Sequence, residues 1–351
     1  WRGQIQAGEE YTNTRTSNIF TANIPEVPDA DNRVDESNIA AFVEMAQQFG
    51  SLNIGVGLRY EHVKFDYYET GRLRDGQSKT YNNLFPSLNV AAQTGPVRMG
   101  LNYSGKTVRP GYGQLDGAVS YINRLTFETG NPYLKPTKMQ TVEYMAQWRQ
   151  FFAQLSYTYF KDGVYHITEP YGADGEATII RTANLDHRHY FQAFLGGQFK
   201  VGIWQPRVNV GVMKQWLSLP VNGETMKMNN PGFLVQWMNA VHLPYDIWLN
   251  VDAQLMSRSW DNNMKLSNTP WHVNAKIYKG FLNNALSVTL EAKDLFNSSR
   301  RDMIMYSDAV QIVQKNFSTG RSVMLTLQYR FNTTRDRYRG TGAGNSEKSR
   351  F

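Results

Sequence analysis

The sequence holds no cysteine, so a disulfide framework, a thiolate metal site and a cysteine nucleophile are all excluded. It also lacks any run of about 20 apolar residues, the length a membrane-crossing helix requires. Mean hydropathy is −0.51 and 41% of the residues are hydrophobic, unlike a helical membrane protein. A strong excess of either charge is lacking. The formal net charge is +7 over 351 residues, and the basic residues are scattered rather than gathered into the patch that nucleic acid requires. The chain begins at Trp1 with neither Met nor a signal peptide, so targeting information is expected outside it.

Catalytic groupings are lacking as well. Asp252 and Glu291 are single acids on polar strand faces, not a paired acid and base. Gly111-Tyr112-Gly113 is followed by no strand–helix unit and no Lys-Ser/Thr, so it is not a phosphate loop. His187 and His189 share a strand face beside Asp186, but no third convergent ligand accompanies them. The expectation is a non-enzyme with no cofactor and no metal site.

What the chain does have is alternation. Leu286, Val288, Leu290 and Ala292 alternate with Ser287, Thr289, Glu291 and Lys293, and Val323, Leu325, Leu327, Tyr329 and Phe331 alternate with Met324, Thr326, Gln328 and Arg330. A period of two puts one set on each face of a strand. The same reading predicts strands at Arg2–Tyr11 (weakly), Ser37–Gln48, Leu52–Tyr68, Leu84–Thr94, Val97–Ser104, Met139–Arg149, Phe151–Lys161, Ala177–Lys200, Arg207–Val212, Gly232–His242, Ile247–Met256 and Trp271–Tyr278. With the final hairpin, Ala285 to Phe331, that makes about fourteen strands, most close to the roughly 9–11 residues that cross a tilted bilayer.

Two-faced strands suit either a soluble sheet or a membrane barrel, and the connections separate the two. Short turns near residues 50, 95, 150, 202, 244 and 283 alternate with polar loops near 25, 75, 120, 172, 225, 262 and 308. Outer-membrane barrels sort their loops in this way, with short periplasmic turns and longer extracellular loops. The aromatic content of 13%, with Trp204, Trp216, Trp237, Trp248, Trp260 and Trp271 mostly near strand ends, fits interfacial girdles. Trp248 departs from the pattern by sitting on the polar face. Gly55 and Gly57 on a polar face weaken a sheet but leave room in a lumen. The fold class read from this is all-β, a transmembrane antiparallel up-and-down β-barrel, over residues 1–332, followed by a basic periplasmic tail at 333–351 with Arg335, Arg337, Arg339, Lys348 and Arg350.

Several local sequences resemble one family. Gly130-Asn131-Pro132-Tyr133-Leu134-Lys135-Pro136 resembles the GNPxLKP segment of TonB-dependent receptor barrels, and Lys293-Asp294-Leu295-Phe296-Asn297 resembles their DLFN box. Leu84-Phe85-Pro86-Ser87-Leu88 is similar to the FPS start of a barrel strand, and Tyr329-Arg330-Phe331-Asn332 to the aromatic closing strand. The tail from Tyr338 to Asn345 resembles that of the outer-membrane β-barrel family of the Bacteroidetes type. The resemblance implies an outer-membrane location, a plug domain in the lumen, and active import driven by the inner-membrane TonB complex. It also implies a barrel of 22 strands. This chain is then expected to be the C-terminal barrel portion, with the plug and the other strands outside it, and with sheet edges prone to association. Gly130, Asn131, Pro132, Leu134, Pro136, Asp294, Phe296, Asn297 and Phe331 are the structural motif residues that this implies.

The long connection from Lys106 to Thr137 is the candidate ligand-contact element. Arg109, Tyr112, Tyr121, Asn123 and Arg124 could stack on and hydrogen-bond a bulky polar ligand, and a structural loop packed on its neighbours is the alternative. The expected function is TonB-dependent import of a scarce nutrient: a metal chelate, oligosaccharide or peptide. A self-contained passive 14-strand channel and a non-transporting surface barrel stay open beside it. Expected partners are outer-membrane lipid, the TonB complex through the plug, the barrel-assembly machinery, a surface lipoprotein and the small nutrient ligand.

Overall fold

The computed structural model describes residues 3–24, 27–172, 174–308, 310–316, 320–331 and 350. Fourteen long strands follow one another in sequence, and each pairs antiparallel with the next. They are β1 (Gly3–Phe20), β2 (Ala30–Phe49), β3 (Leu52–Glu69), β4 (Lys79–Thr94), β5 (Val97–Val108), β6 (Thr137–Trp148) and β7 (Phe151–Tyr171). The second half comprises β8 (Ala177–Gln198), β9 (Trp204–Trp216), β10 (Gly232–Leu243), β11 (Ile247–Met256), β12 (Trp271–Phe281), β13 (Leu286–Lys293) and β14 (Ser322–Tyr329). The topology is an up-and-down meander. Among the described residues, β1 is paired along one side only, with β2, and β14 along one side only, with β13.

The period of two sorts the faces. Ile39, Val43 and Met45 on β2, Val56 and Leu58 on β3, Val208 and Val210 on β9, and Phe233, Val235 and Trp237 on β10 are exposed, all on the outer side. Their neighbours on the inner face include Asn38, Glu44, Gly55, Gly57, Arg59, Asn209 and Gln236. Apolar outside and polar inside is the inversion that a lipid-facing barrel demands. Towards the long-loop end the inner face changes character. Val34, Val63, Phe65 and Tyr67 point inward there and are buried, because loops pack onto them.

Aromatic residues gather at the short-turn rim. Trp148 stacks on Phe151 at 5.8 Å, Phe151 meets Phe199 edge-on at 5.4 Å, and Tyr329 lies 6.2 Å from Phe331. Trp248, which broke the simple pattern, stacks on His242 at 4.5 Å across the β10–β11 turn, so its inward face is covered by an imidazole. Trp260 does not belong to a girdle. It is buried in a loop cluster with Leu185, Leu217, Leu219, Val221 and Met228.

Several boundaries differ from the sequence reading, by two or three residues at the short-turn side and by more at the long-loop side. β1 runs to Phe20 and β2 starts at Ala30, although residues 12–36 are polar enough to read as a connection. Cross-strand pairing replaces the hydrophobic pattern there: Arg15 donates from Nε and Nη2 to the two carboxylate oxygens of Asp35, at 2.6 and 3.0 Å. β4 begins at Lys79 rather than Leu84, so the Phe85-Pro86-Ser87 segment lies inside the strand. The β7–β8 hairpin extends to Tyr171 and Ala177, leaving a short connection where a long loop was predicted. The remaining long connections are not structureless. They fold into short hairpins at Val119–Asn123 with Thr126–Thr129, Ser218–Val221 with Glu224–Lys227, and Trp260–Asp261 with Met264–Leu266.

These connections close over the long-loop end as small apolar cores. Val27 from the β1–β2 connection, Val119 and Phe127 from the β5–β6 connection and Ile179 on β8 share one cluster. Contact of the β1–β2 connection with the β5–β6 connection, four strands on, and with strand β8 means that the sheet curls around an interior.

A structured loop in the lumen is the candidate functional site

The connection between β5 and β6, residues 109–136, is the element that fills this interior. Its first part turns into a single helical turn, Tyr112–Leu115, whose Tyr112 and Leu115 are buried against Val34, Phe65, Tyr67 and Leu134. The chain then passes through Asp116, whose carboxylate accepts hydrogen bonds from the side-chain amides of Asn18 on β1 and Asn32 on β2, the latter at 2.8 Å. A hairpin follows, exposed at its tip and docked by its second strand in parallel to Thr178–Arg181 of β8.

Residues Gly130 to Pro136 return the loop to the wall. A Cβ on Gly130 would collide with the carbonyl oxygens of Gly113, Gln114 and Asp116, so only glycine admits this approach. Asn131 donates its amide N–H to the Gln114 carbonyl (2.6 Å) and its side-chain N–H to the Thr182 carbonyl (2.9 Å). Its side-chain oxygen accepts from the Tyr133 amide at 2.9 Å, an Asx turn that bends the chain into Pro132-Tyr133. Leu134 and Pro136 are buried in the interior. The motif docks the loop.

The five predicted ligand residues divide into two places. Arg109 and Tyr112 are inside. Arg109 donates from Nη1 to Glu36 Oε1 at 2.5 Å, and that carboxylate is buried on the inner face of β2. Burial pushes the Tyr112 phenol above its ordinary value, and the nearby Glu36 carboxylate adds to the shift. Tyr121, Asn123 and Arg124 are exposed on the hairpin, where Tyr121 packs edge-on against Phe127 at 5.7 Å and Asn123 caps the Leu125 amide at 3.1 Å. The sequence reading missed Glu36, which it placed at the end of a polar connection. The alternation Asn32, Val34, Glu36, Asn38, Ala40, all buried, is the signal that could have found it.

The other motif residues lie at the far end of the chain. Asp294 closes β13 with φ 47° and is buried, accepting from Ser299 Oγ at 2.6 Å and from the Ser298 and Ser299 amides at 2.9 and 3.3 Å. Burial opposes its charge, but these hydrogen bonds outweigh burial and hold its carboxyl below the usual range. Phe296 packs on Trp271 at 5.3 Å, and Asn297 takes positive φ at 53° to complete the turn. Phe331 sits at the short-turn rim. Of the predicted tail, 333–349 and 351 lie outside the described residues. Arg350 is described, and it lies on the long-loop half of the sheet against Glu36. His187 pairs with Asp186 at 2.9 Å and His189 with the Tyr157 hydroxyl at 2.6 Å. Among the described residues no group of three metal-ligating side chains converges.

A meander of long two-faced strands, apolar outside, with short turns at one rim and a loop folded into a polar interior, is an outer-membrane β-barrel architecture. The model of the outer membrane protein beta-barrel family matches residues 1–329, and the chain belongs to that family. Its location is the bacterial outer membrane. No curated protein matches the sequence. Among solved structures, the ferric yersiniabactin uptake receptor FyuA from Yersinia pestis is similar over 94% of this chain and 51% of that one, with 14% identity and a TM-score of 0.61. The copper transporter OprC is similar over 93% of this chain and 53% of that one, at 11% identity and a TM-score of 0.62. The hemophore receptor HasR of Serratia marcescens is similar over 94% of this chain and 60% of that one, at 11% identity and a TM-score of 0.58. The chain thus spans between about half and three fifths of these structures. At such identities the likeness is one of fold.

Proposed function

We propose that this chain is barrel wall and internal loop of a TonB-dependent importer of a scarce nutrient, a metal chelate, oligosaccharide or peptide, passed inward without chemical change. The observation that carries the reading is the β5–β6 loop. It turns into the interior and presents Arg109 and Tyr112 there, beside Glu36, instead of standing out in solvent. A loop carrying charged and aromatic groups folded into the interior suits capture of a ligand better than free diffusion of water and ions. The solved structures of like fold include an iron transporter, a ferric yersiniabactin uptake receptor, a hemophore receptor and a copper transporter, which supports the same reading. Among the described residues β1 and β14 are each paired along one side only, which supports a barrel completed by further strands, and a plug is expected within it.

Growth of a deletion strain on limiting iron, copper, glycan and peptide sources tests this, with uptake of the responsive nutrient measured with and without the proton-motive force. Energy-dependent loss of one nutrient is expected. Ohmic single-channel conductance of the purified protein, with uptake indifferent to energy, would replace it with a passive channel.

A further inference from the structure

We propose that Glu36, the Pro110 carbonyl and Tyr112 form a binding site for an arginyl residue, occupied here by the chain's own Arg350, and that an arginine-bearing peptide competes for it. The carboxylate of Glu36 takes the guanidinium as a fork, with Nη1 to Oε1 at 2.6 Å and Nη2 to Oε2 at 3.0 Å. The third side of the guanidinium is read too, since Nε donates to the Pro110 carbonyl at 3.1 Å. The face of the group lies over the Tyr112 ring at 4.3 Å from its centroid. Planar, bidentate and stacked recognition selects a guanidinium over an ammonium, which is a point charge with no plane to stack and no fork to match.

The main chain is recognised as well. The Tyr112 amide donates to the Arg350 carbonyl at 3.2 Å. The site therefore holds an arginyl residue by both side chain and backbone, as it would hold one residue of a peptide. Glu36 and Arg350 side chains are 3% and 9% exposed, so the pair is withdrawn from water, where a charge-assisted contact keeps its strength. Arg109 also donates to Oε1 of the same carboxylate, which helps hold it in place.

That the occupant is cargo rests on the import reading, whereas the site itself does not, and binding to the purified protein separates the two. Purified protein in detergent would be titrated by calorimetry with N-acetyl-arginine amide. Removing the internal competitor in Arg350→Ala is expected to tighten binding at least tenfold relative to the native chain. Adding Glu36→Gln to that variant is expected to weaken binding at least tenfold, and Tyr112→Leu, which keeps all charges, to weaken it severalfold. N-acetyl-citrulline amide, isosteric but uncharged, should bind at least tenfold more weakly than the arginine probe. Heat-modifiable mobility on gels checks that each variant is folded, and Tyr112→Leu carries the test if Glu36→Gln is not. Equal binding by the native chain and Arg350→Ala, no binding by Arg350→Ala, or equal binding of the citrulline probe would each overturn the proposal. Loss of import with intact binding would overturn only the cargo role.

Discussion

The side-chain amide of Asn184 on β8 pairs with both main-chain groups of Lys135: its oxygen accepts the Lys135 amide at 2.8 Å and its nitrogen donates to the Lys135 carbonyl at 3.0 Å. The same nitrogen reaches the Asp162 carbonyl on β7 at 2.8 Å. One wall residue thus mimics a missing strand and holds the returning end of the internal loop. Replacing Asn184 by Ala removes these bonds, and because water reaches the Lys135 groups the cost is about 0.5–1.5 kcal/mol, local to the loop. Hydrogen exchange should rise within residues 109–136 while the strands stay protected. Uniform loosening of strands and loop together would contradict this assignment.

Gly130→Ala acts on the other side of the same docking. A methyl group aimed at three carbonyl oxygens cannot be relieved by a side-chain rotation, because the obstacles are backbone. Overpacking of this kind costs typically about 1–3 kcal/mol. The expected outcome is a folded barrel with a loop that proteases cut between residues 112 and 134, and the cleavage map reads it directly.

Asp294 sets an acid sensitivity at the long-loop rim. Its carboxyl is held below the usual range by Ser298 and Ser299, so its stabilising contribution is complete above the ordinary carboxylate range and is lost as pH falls through the lowered value. Exchange of the Ser298 and Ser299 amides should therefore accelerate in acid below that range. In Asp294→Asn the acid dependence should vanish and the turn should be looser at neutral pH. An unchanged acid dependence in that variant would assign the effect to another group.

Neighbouring residues on β10 should respond oppositely to the same charge. Val235 lies on the outer face and is exposed, whereas Gln236 faces inward and donates to Gln254 at 2.9 Å. An arginine on the lipid face near mid-bilayer costs about 2–4 kcal/mol, while the lumen accepts one. Val235→Arg should lower the folded fraction in lipid bilayers, measured by gel mobility without heating, and Gln236→Arg should not. Equal losses would mean that the two faces are misassigned.

Much of this was open to reading along the chain because strand periodicity is rigid. Leu286 to Lys293 and Val323 to Phe331 declared their faces, and the loop rhythm declared which rim was which. Boundaries failed where that signal has no source. Residues 12–20 and 30–36 carry Asn13, Arg15, Ser17, Asp31, Arg33 and Asp35 on the outer face because the hairpin rises beyond the apolar band, and pairing such as Arg15 with Asp35 keeps it extended. The candidate site was legible by halves. Arg109 and Tyr112 were found from loop length and residue type, but nothing local distinguished them from Tyr121, Asn123 and Arg124, which stand outside.

The sequence by itself determined the architecture: fourteen strands, two faces, short turns against long loops, and glycine at position 130. Those properties are local, since the direction of each strand side chain follows from its parity. Only the tertiary structure decided the site. Glu36, Arg109 and Arg350 converge although up to 314 positions separate them, and the direction of a loop side chain obeys no period. It is set by which carbonyls, carboxylates and rings the curled sheet brings within reach, and that is a property of the folded chain rather than of any stretch of it.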